Sequence, residues 1–320
     1  MRGSLAAVSQ NPDSVASPDD LRALSVDGKK LARYVEEDGF ADGLRAVKLA
    51  LGPDFAERLQ RWAVMVIHPD LIAQRRVGRA LTFLRDHAFE PLSAVPFVFG
   101  AEMTAAMWKD SLDDATEDSL TLCDIFCAKT ESLLLVLADG GRSHDEPASV
   151  RLSRLKGSTV ATKRHSGHLR SQLEATNRIV TAVHCSDEPI DIVRELAILL
   201  PCPMAEFLTS ADAVERGDAP SNFEALVAEI YARTAPHDLN VVDAAERLLS
   251  AAPPEQGAQE ARAAKLRLRD NLRRWRAGEG FLVWKEFVAD LGAMGVAADS
   301  WDAVLLATEF VQHSRDVTKK

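Results

Sequence analysis

"TNRIVTAVHCSDEPIDIVREL", running from Thr176 to Leu196, places an apolar run directly before His184, then a short polar stretch, then an apolar-periodic segment that opens on Pro189. The run reads as a buried strand, and the segment beginning Asp-Glu-Pro reads as a helix with proline in its first turn. A histidine wedged between a strand end and a helix start sits where backbone N–H groups and the helix dipole attract anions, phosphate above all. This stretch anchors the reading of the rest.

Upstream, the same alternation repeats. "WAVMVIHPD" from Trp62 is a continuous apolar run of strand length stopped by a proline. "RRVGRALTFLRDHAF" follows as an amphipathic helix with Val77, Ala80, Leu81 and Leu84 on one face. "EPLSAVPFVF" reads as a second strand, "GAEMTAAMWKDSL" and "DSLTLCDIFCAK" as helices, "ESLLLVLADG" as a third strand and "ASVRLSRLKG" as a short helix. "LRSQLEATNRIVTAVH" holds the fourth strand, ending at His184. Two successive strand–helix–strand units predict an α+β fold, a ferredoxin-like α/β sandwich with an antiparallel sheet.

The flanks have a different texture. Residues 1–17 carry no apolar signal-peptide core and read as a flexible tail. Residues 18–60 read as a helical extension, and the sandwich is assigned to residues 61–208. Residues 209–320 read as a helical domain, with helices expected near Val241–Ala251, Glu255–Ala277, Phe281–Leu291 and Ser300–His313. "SNFEALVAEIYART" opens with Ser221 and Glu224 at capping-box spacing. The basic segment Lys265 to Gly278 reads as a bundle helix with Leu266, Leu272 and Trp275 facing its core.

The 320-residue chain has a formal net charge of −10, which argues against a nucleic-acid-coating protein. No run has transmembrane length. Its four cysteines show no C-x-x-C spacing and read as reduced thiols of a cytoplasmic protein. No metal ligand is assigned among Asp113, Asp114 and Asp299, which read as solvated caps.

Four pieces of the central region belong together: "VIHPDLIAQRRVG", "RLKGSTVATKRHSGHLRSQL", "VHCSD", and Glu195 in the helix after His184. Together they resemble the nucleoside diphosphate kinase family, which has an "IKPD" strand end followed by "RGLVG". That family also has a "GxT…PGTIR" loop and an "N-x-x-H-G-S-D" signature leading into a glutamate-bearing helix. The resemblance spans roughly Trp62 to Leu208. It implies that His184 takes a phosphoryl group and that Glu195 orients the imidazole. Ser186 and Asp187 match the residues closing the signature, and Thr159 and Arg170 match phosphate-contacting positions. Pro69 and Asp70 match the strand-end motif, and Arg76, Val77 and Gly78 echo "RGLVG". The implied activity moves the γ-phosphoryl of ATP or another NTP, accompanied by Mg²⁺, through His184 to an NDP or other small-molecule acceptor. A homo-oligomer is the assembly such a family suggests.

The chemistry fits those residue types. A histidine attacks phosphorus only when neutral with one nitrogen free, and a carboxylate on the other N–H fixes the tautomer. The departures are equally specific. His68 stands where the family has lysine, so an ammonium becomes an imidazole of ordinary pKa about 6.5, able to supply charge only when protonated. Cys185 replaces a glycine and Thr181 an asparagine, while Asn177 lies a turn further upstream. Ser153 replaces an arginine, with Arg154 or Arg151 adjacent, and Trp108 and Phe126 are the candidate base contacts. The competing expectation is a catalytically degenerate nucleotide-binding module whose helical tail reports occupancy to a partner. A sandwich serving only as a scaffold is a third.

Overall fold

The computed structural model describes residues 18–25, 27–112, 114–141, 146–252 and 254–315, and the expected tail over residues 1–17 lies outside them. Four strands form one sheet: β1 (Trp62–Ile67), β2 (Phe89–Phe97), β3 (Ser132–Asp139) and β4 (Val183–Cys185). Their spatial order is β2-β3-β1-β4, and every neighbouring pair is antiparallel. The fold is α+β.

Strand alternation divides the core. In β1, Val64 and Val66 join one hydrophobic cluster, and Ala63, Met65 and Ile67 join the other. In β3, Leu134 and Val136 face the first cluster, Leu133, Leu135 and Leu137 the second. Both central strands are thus buried on both faces, so each reads as an unbroken apolar run.

The helical preface comprises α1 (Pro18–Leu24), α2 (Gly28–Val35), α3 (Phe40–Leu51) and α4 (Phe55–Arg61). Asp27 caps α2 by accepting from Lys29 and Lys30 N–H. After β1 come α5 (Pro69–Ala73) and α6 (Val77–Asp86), and between β2 and β3 lie α7 (Ala101–Leu112) and α8 (Glu117–Cys127). Beyond β3 are α9 (Ala148–Lys156) and the single turn α10 (Leu169–Gln172), and α11 (Pro189–Leu199) follows β4. The backbone of α7 breaks helical geometry at Trp108 (φ −110°, ψ 18°). Helix α3 packs on α11 so closely at Gly43 that a Cβ there would lie 2.7 Å from the Ala197 methyl.

The remaining helices are α12 (Met204–Glu215), α13 (Phe223–Arg233), α14 (Val241–Ser250), α15 (Ala258–Arg276), α16 (Trp284–Ala293) and α17 (Trp301–Phe310). Helix α12 runs across the division expected after residue 208, and its Leu208 and Ala211 share a cluster with Val64, Leu44 and Leu305. Preface, sheet and tail therefore bury apolar surface together. Among the described residues, no helix is long and apolar enough to cross a membrane.

Several local expectations are corrected. The fourth strand shrinks to three residues because Asn177 folds the preceding run into a turn. Its Oδ1 accepts from Ile179 and Val180 N–H at 3.0 and 2.9 Å. No capping box forms at Ser221; α13 starts without a side-chain cap. Asn222 instead accepts from Ala94 N–H at 3.0 Å and donates to Ala94 O at 2.9 Å, covering the edge of β2. In α15, Leu272 is buried as expected, but Leu266 is 59% exposed.

Candidate active site

Strand β4 ends at the sheet edge, its His184 paired with Val66 of β1. The turn into α11 is fixed by Ser186 N–H donating to Val64 O at 3.1 Å. Pro189 starts the helix, and a capping box between Glu188 and Asp191 closes its first turn. These constraints bring Glu195 under the histidine. His184 Nε2 lies 2.9 Å from Glu195 Oε1, and Ser186 Oγ donates to Glu195 Oε2 at 2.6 Å. Both carboxylate oxygens are thereby used. Burial pushes the Glu195 carboxyl upward, but His184, its hydrogen bond, the Ser186 hydroxyl and Lys156 outweigh this and hold it below its ordinary value. An ionised Glu195 accepts a hydrogen bond from Nε2–H, so the neutral tautomer leaves Nδ1 as the ring's basic nitrogen.

His184 lines a cavity of about 350 Å³ shared with His68, Lys156, Thr159, Arg170 and Thr181. Of the sequence-predicted phosphate-site residues, His184, His68, Thr159, Arg170 and Thr181 line it. Glu195 and Ser186 stand behind His184 rather than in the wall. Arg154 is not brought in: it sits on the outer face of α9, 64% exposed, paired with Glu146 at 2.9 Å. The cation that α9 does supply is Lys156, buried and donating to Cys185 O at 3.0 Å and Asp187 Oδ1 at 3.3 Å. Sequence reading missed it because a lysine at a helix C-terminus is the ordinary solvated case.

Arg170 is less free than expected. Its guanidinium donates to Gly157 O and Val183 O, each at 2.8 Å, while Nε has no partner. Burial lowers it to about 10, so it stays cationic at neutral pH. It fastens the 157–170 loop to β4 and presents charge to the cavity at the same time.

His68 corrects a further expectation. It is 3% exposed, and Phe99, Trp108 and Phe126 pack edge-on to its ring at 6.0–6.4 Å between centroids. Its Nδ1 lies 3.2 Å from Thr181 Oγ1, and Nε2 has no partner. Burial first, then His184, Arg170 and Lys156, hold the imidazole well below its ordinary value. His68 is therefore neutral and does not replace an ammonium. Phe126, a candidate base contact, belongs to this packing, whereas Trp108 lines the cavity.

Asp70 braces the site from below. Its Oδ2 accepts from Ala182 N–H at 3.0 Å, and His68 N–H donates to Ala182 O at 3.0 Å. This holds Ala182 at φ 65°, a left-handed conformation costly for a residue with a Cβ. Cys185 is fully buried and its thiol is pushed up to about 11 by burial, the state of an inert packing group.

The far wall comes from the chain's last described residues. His313 and Ser314 line the cavity, and their segment is hydrogen-bonded to the α7–α8 connection. Ser314 Oγ donates to Asp114 Oδ2 at 2.7 Å, Arg315 N–H to Asp114 O at 2.8 Å and Thr116 N–H to His313 O at 3.3 Å. Burial, then Arg178, lowers His313 to about 4. Nothing local in the sequence signals this closure. Among the described residues, no group of three or more His, Cys, Asp or Glu side chains could hold a metal ion.

No protein-family model matches the chain, and no curated protein matches it significantly by sequence. Solved structures that overlap it include a nucleoside diphosphate kinase from Aquifex aeolicus. That pair shares 19% identity over 43% of this chain and 93% of that one, with a TM-score of 0.36. A halophilic nucleoside diphosphate kinase from Halobacterium salinarum, in complex with CDP, shares 15% identity over 45% of this chain and 89% of that one, also at 0.36. The likeness is weak and confined to under half of the chain.

Proposed function

We propose that the sheet and its helices form a ferredoxin-like sandwich, and that the cavity is a nucleotide-phosphate site in which His184 Nδ1 carries a phosphoryl group. The observation that carries the reading is the pairing of His184 Nε2 with a Glu195 whose other oxygen is held by Ser186. It fixes the tautomer and leaves one nitrogen for chemistry beside buried cations. The strand order β2-β3-β1-β4 supports the sandwich.

In the first step, the Nδ1 lone pair forms a bond to the γ-phosphorus of a Mg²⁺-bound NTP. The bond to the bridging oxygen breaks, and the NDP leaves with that electron pair. Glu195 stabilises the cationic ring, and Lys156 and Arg170 offset charge on the transferring oxygens. An oxygen of the acceptor, an NDP or another small molecule, then attacks phosphorus and returns the ring to its neutral form. Magnesium would enter with the nucleotide substrate and offset charge on its phosphate oxygens.

A second reading, nucleotide binding without transfer, is favoured by the neutral His68 and by the commitment of Arg170 to backbone carbonyls. Incubation with γ-labelled ATP separates the two. Transfer gives a label on the protein that is lost in acid, kept in base and absent from His184→Gln. Binding by calorimetry without any label leaves only the second reading.

A further inference from the structure

Arg194 precedes Glu195 on α11 and is 6% exposed, yet it points away from the cavity to a set of partners of its own. Its guanidinium donates to Ala106 O at 2.6 Å and Met107 O at 3.4 Å, the two carbonyls directly before the break at Trp108. Its Nε donates to Glu37 Oε2 at 2.6 Å, and its charge lies 4.9 Å from the centre of the Tyr34 ring. Tyr34 Oη in turn donates to Asp191 Oδ1 at 2.8 Å, one turn before Glu195, and Lys30 Nζ reaches Asp191 Oδ2 at 2.6 Å.

The break has a visible result. An indole at position 108 faces the cavity, perpendicular to His184 with 6.0 Å between ring centroids and to His68 with 6.2 Å. A guanidinium is suited to hold such a turn, because its planar fork takes two neighbouring carbonyls at once. Breaks of this kind need an identifiable cause, and no proline or glycine lies within α7.

We propose that Arg194 is a positioning residue for the cavity. It fixes the break in α7 so that Trp108 stays against His184, and Glu37 and Tyr34 of the helical preface hold Arg194 in place. The proposal rests on the reading above only in taking this cavity as the functional site. The preface would then set the geometry of a site to which it contributes no wall.

The test is Arg194→Lys, which keeps the cation and most of the stem but loses the fork. In the ligand-free protein, NMR follows the Trp108 indole N–H, assigned by its loss in Trp108→Phe, and the titration of the His184 ring. Both signals are expected to move in Arg194→Lys, and to a smaller extent in Glu37→Gln, with circular dichroism unchanged. Label uptake from γ-labelled ATP should slow by about 10-fold or more, since small misplacement of a reacting group is costly. The loss in label uptake should exceed any loss of nucleotide affinity, the mark of lost positioning rather than lost binding. Unmoved indole and imidazole signals in folded Arg194→Lys overturn the proposal, and if that variant does not fold, unmoved signals in Glu37→Gln do so. Shifted signals in a protein that binds no nucleotide support the positioning role and defeat the nucleotide reading instead.

Discussion

Replacing Asp70 by asparagine should change how stability depends on pH. Asp70 is 2% exposed, and although its Oδ2 accepts from Ala182 N–H, its Oδ1 has no partner. Burial raises the carboxyl to about 6 from an ordinary 3.8, against the opposing backbone N–H bonds and the Arg170 charge. A raised carboxyl binds its proton more tightly folded than unfolded. Its contribution is therefore fully present below pH 3.8 and lost as pH rises through about 6. At about 1.4 kcal/mol per unit, the ionised form costs about 3 kcal/mol at neutral pH, and about half of that is recovered between pH 7.5 and 5. Asparagine keeps an acceptor for Ala182 and cannot ionise. Urea unfolding of the parent and of Asp70→Asn, compared from pH 7.5 to 5, should show the gap between them shift by about 1.4 kcal/mol in the parent's favour on acidification. Taking the difference removes carboxyls such as Glu195, whose lowered value works in the opposite direction. A gap that stays constant across this range refutes the account of Asp70.

Lys156→Met should weaken nucleotide binding by about 1.5–3 kcal/mol, the worth of a charge-assisted contact; unchanged affinity by calorimetry would place the phosphates elsewhere. Arg170→Met strands the Gly157 and Val183 carbonyls and should destabilise the fold by about 2–4 kcal/mol, read as a lower urea midpoint. Glu195→Gln should cut label uptake by about 10²–10⁴-fold with nucleotide affinity preserved, and uptake at the parental rate would remove Glu195 from the mechanism. Gly43→Ala drives a methyl against Ala197 and should cost about 1–3 kcal/mol, checked by thermal unfolding.

The parts of the fold legible in the sequence are those set by short-range pattern. Strands β1 and β3 announce themselves because both their faces are buried. His184, Ser186 and Glu195 were legible because a strand end and one helix fix their spacing. The length of β4 was not, since Ile179 and Val180 are as apolar as strand residues and only the Asn177 side chain bends them away. Arg154 and Lys156 are two residues apart on one short helix, and which of them faces inward depends on how α9 rolls against β1 and β4. The protonation of His68 was hidden for a similar reason. The burial that lowers its pKa comes in part from rings of the 99–126 region that no local spacing connects to it.

The closure of the cavity by the last described residues also bears on the order of assembly. Asp114 and Ser314 are 200 residues apart, and Ser119 and His313 are 194 apart. During synthesis, His184, Ser186 and Glu195 emerge well before the segment that encloses them. The entropic cost of such a distant closure grows slowly, by about 0.6 kcal/mol for each doubling of the loop, so a few hydrogen bonds suffice to hold it once formed. Faster amide exchange at Thr116 and Arg315 than in β1 and β3 would register opening of this closure apart from the sheet. The His184–Glu195 pair is encoded within a dozen residues, whereas the room in front of it is completed only when nearly all of the described chain has been made.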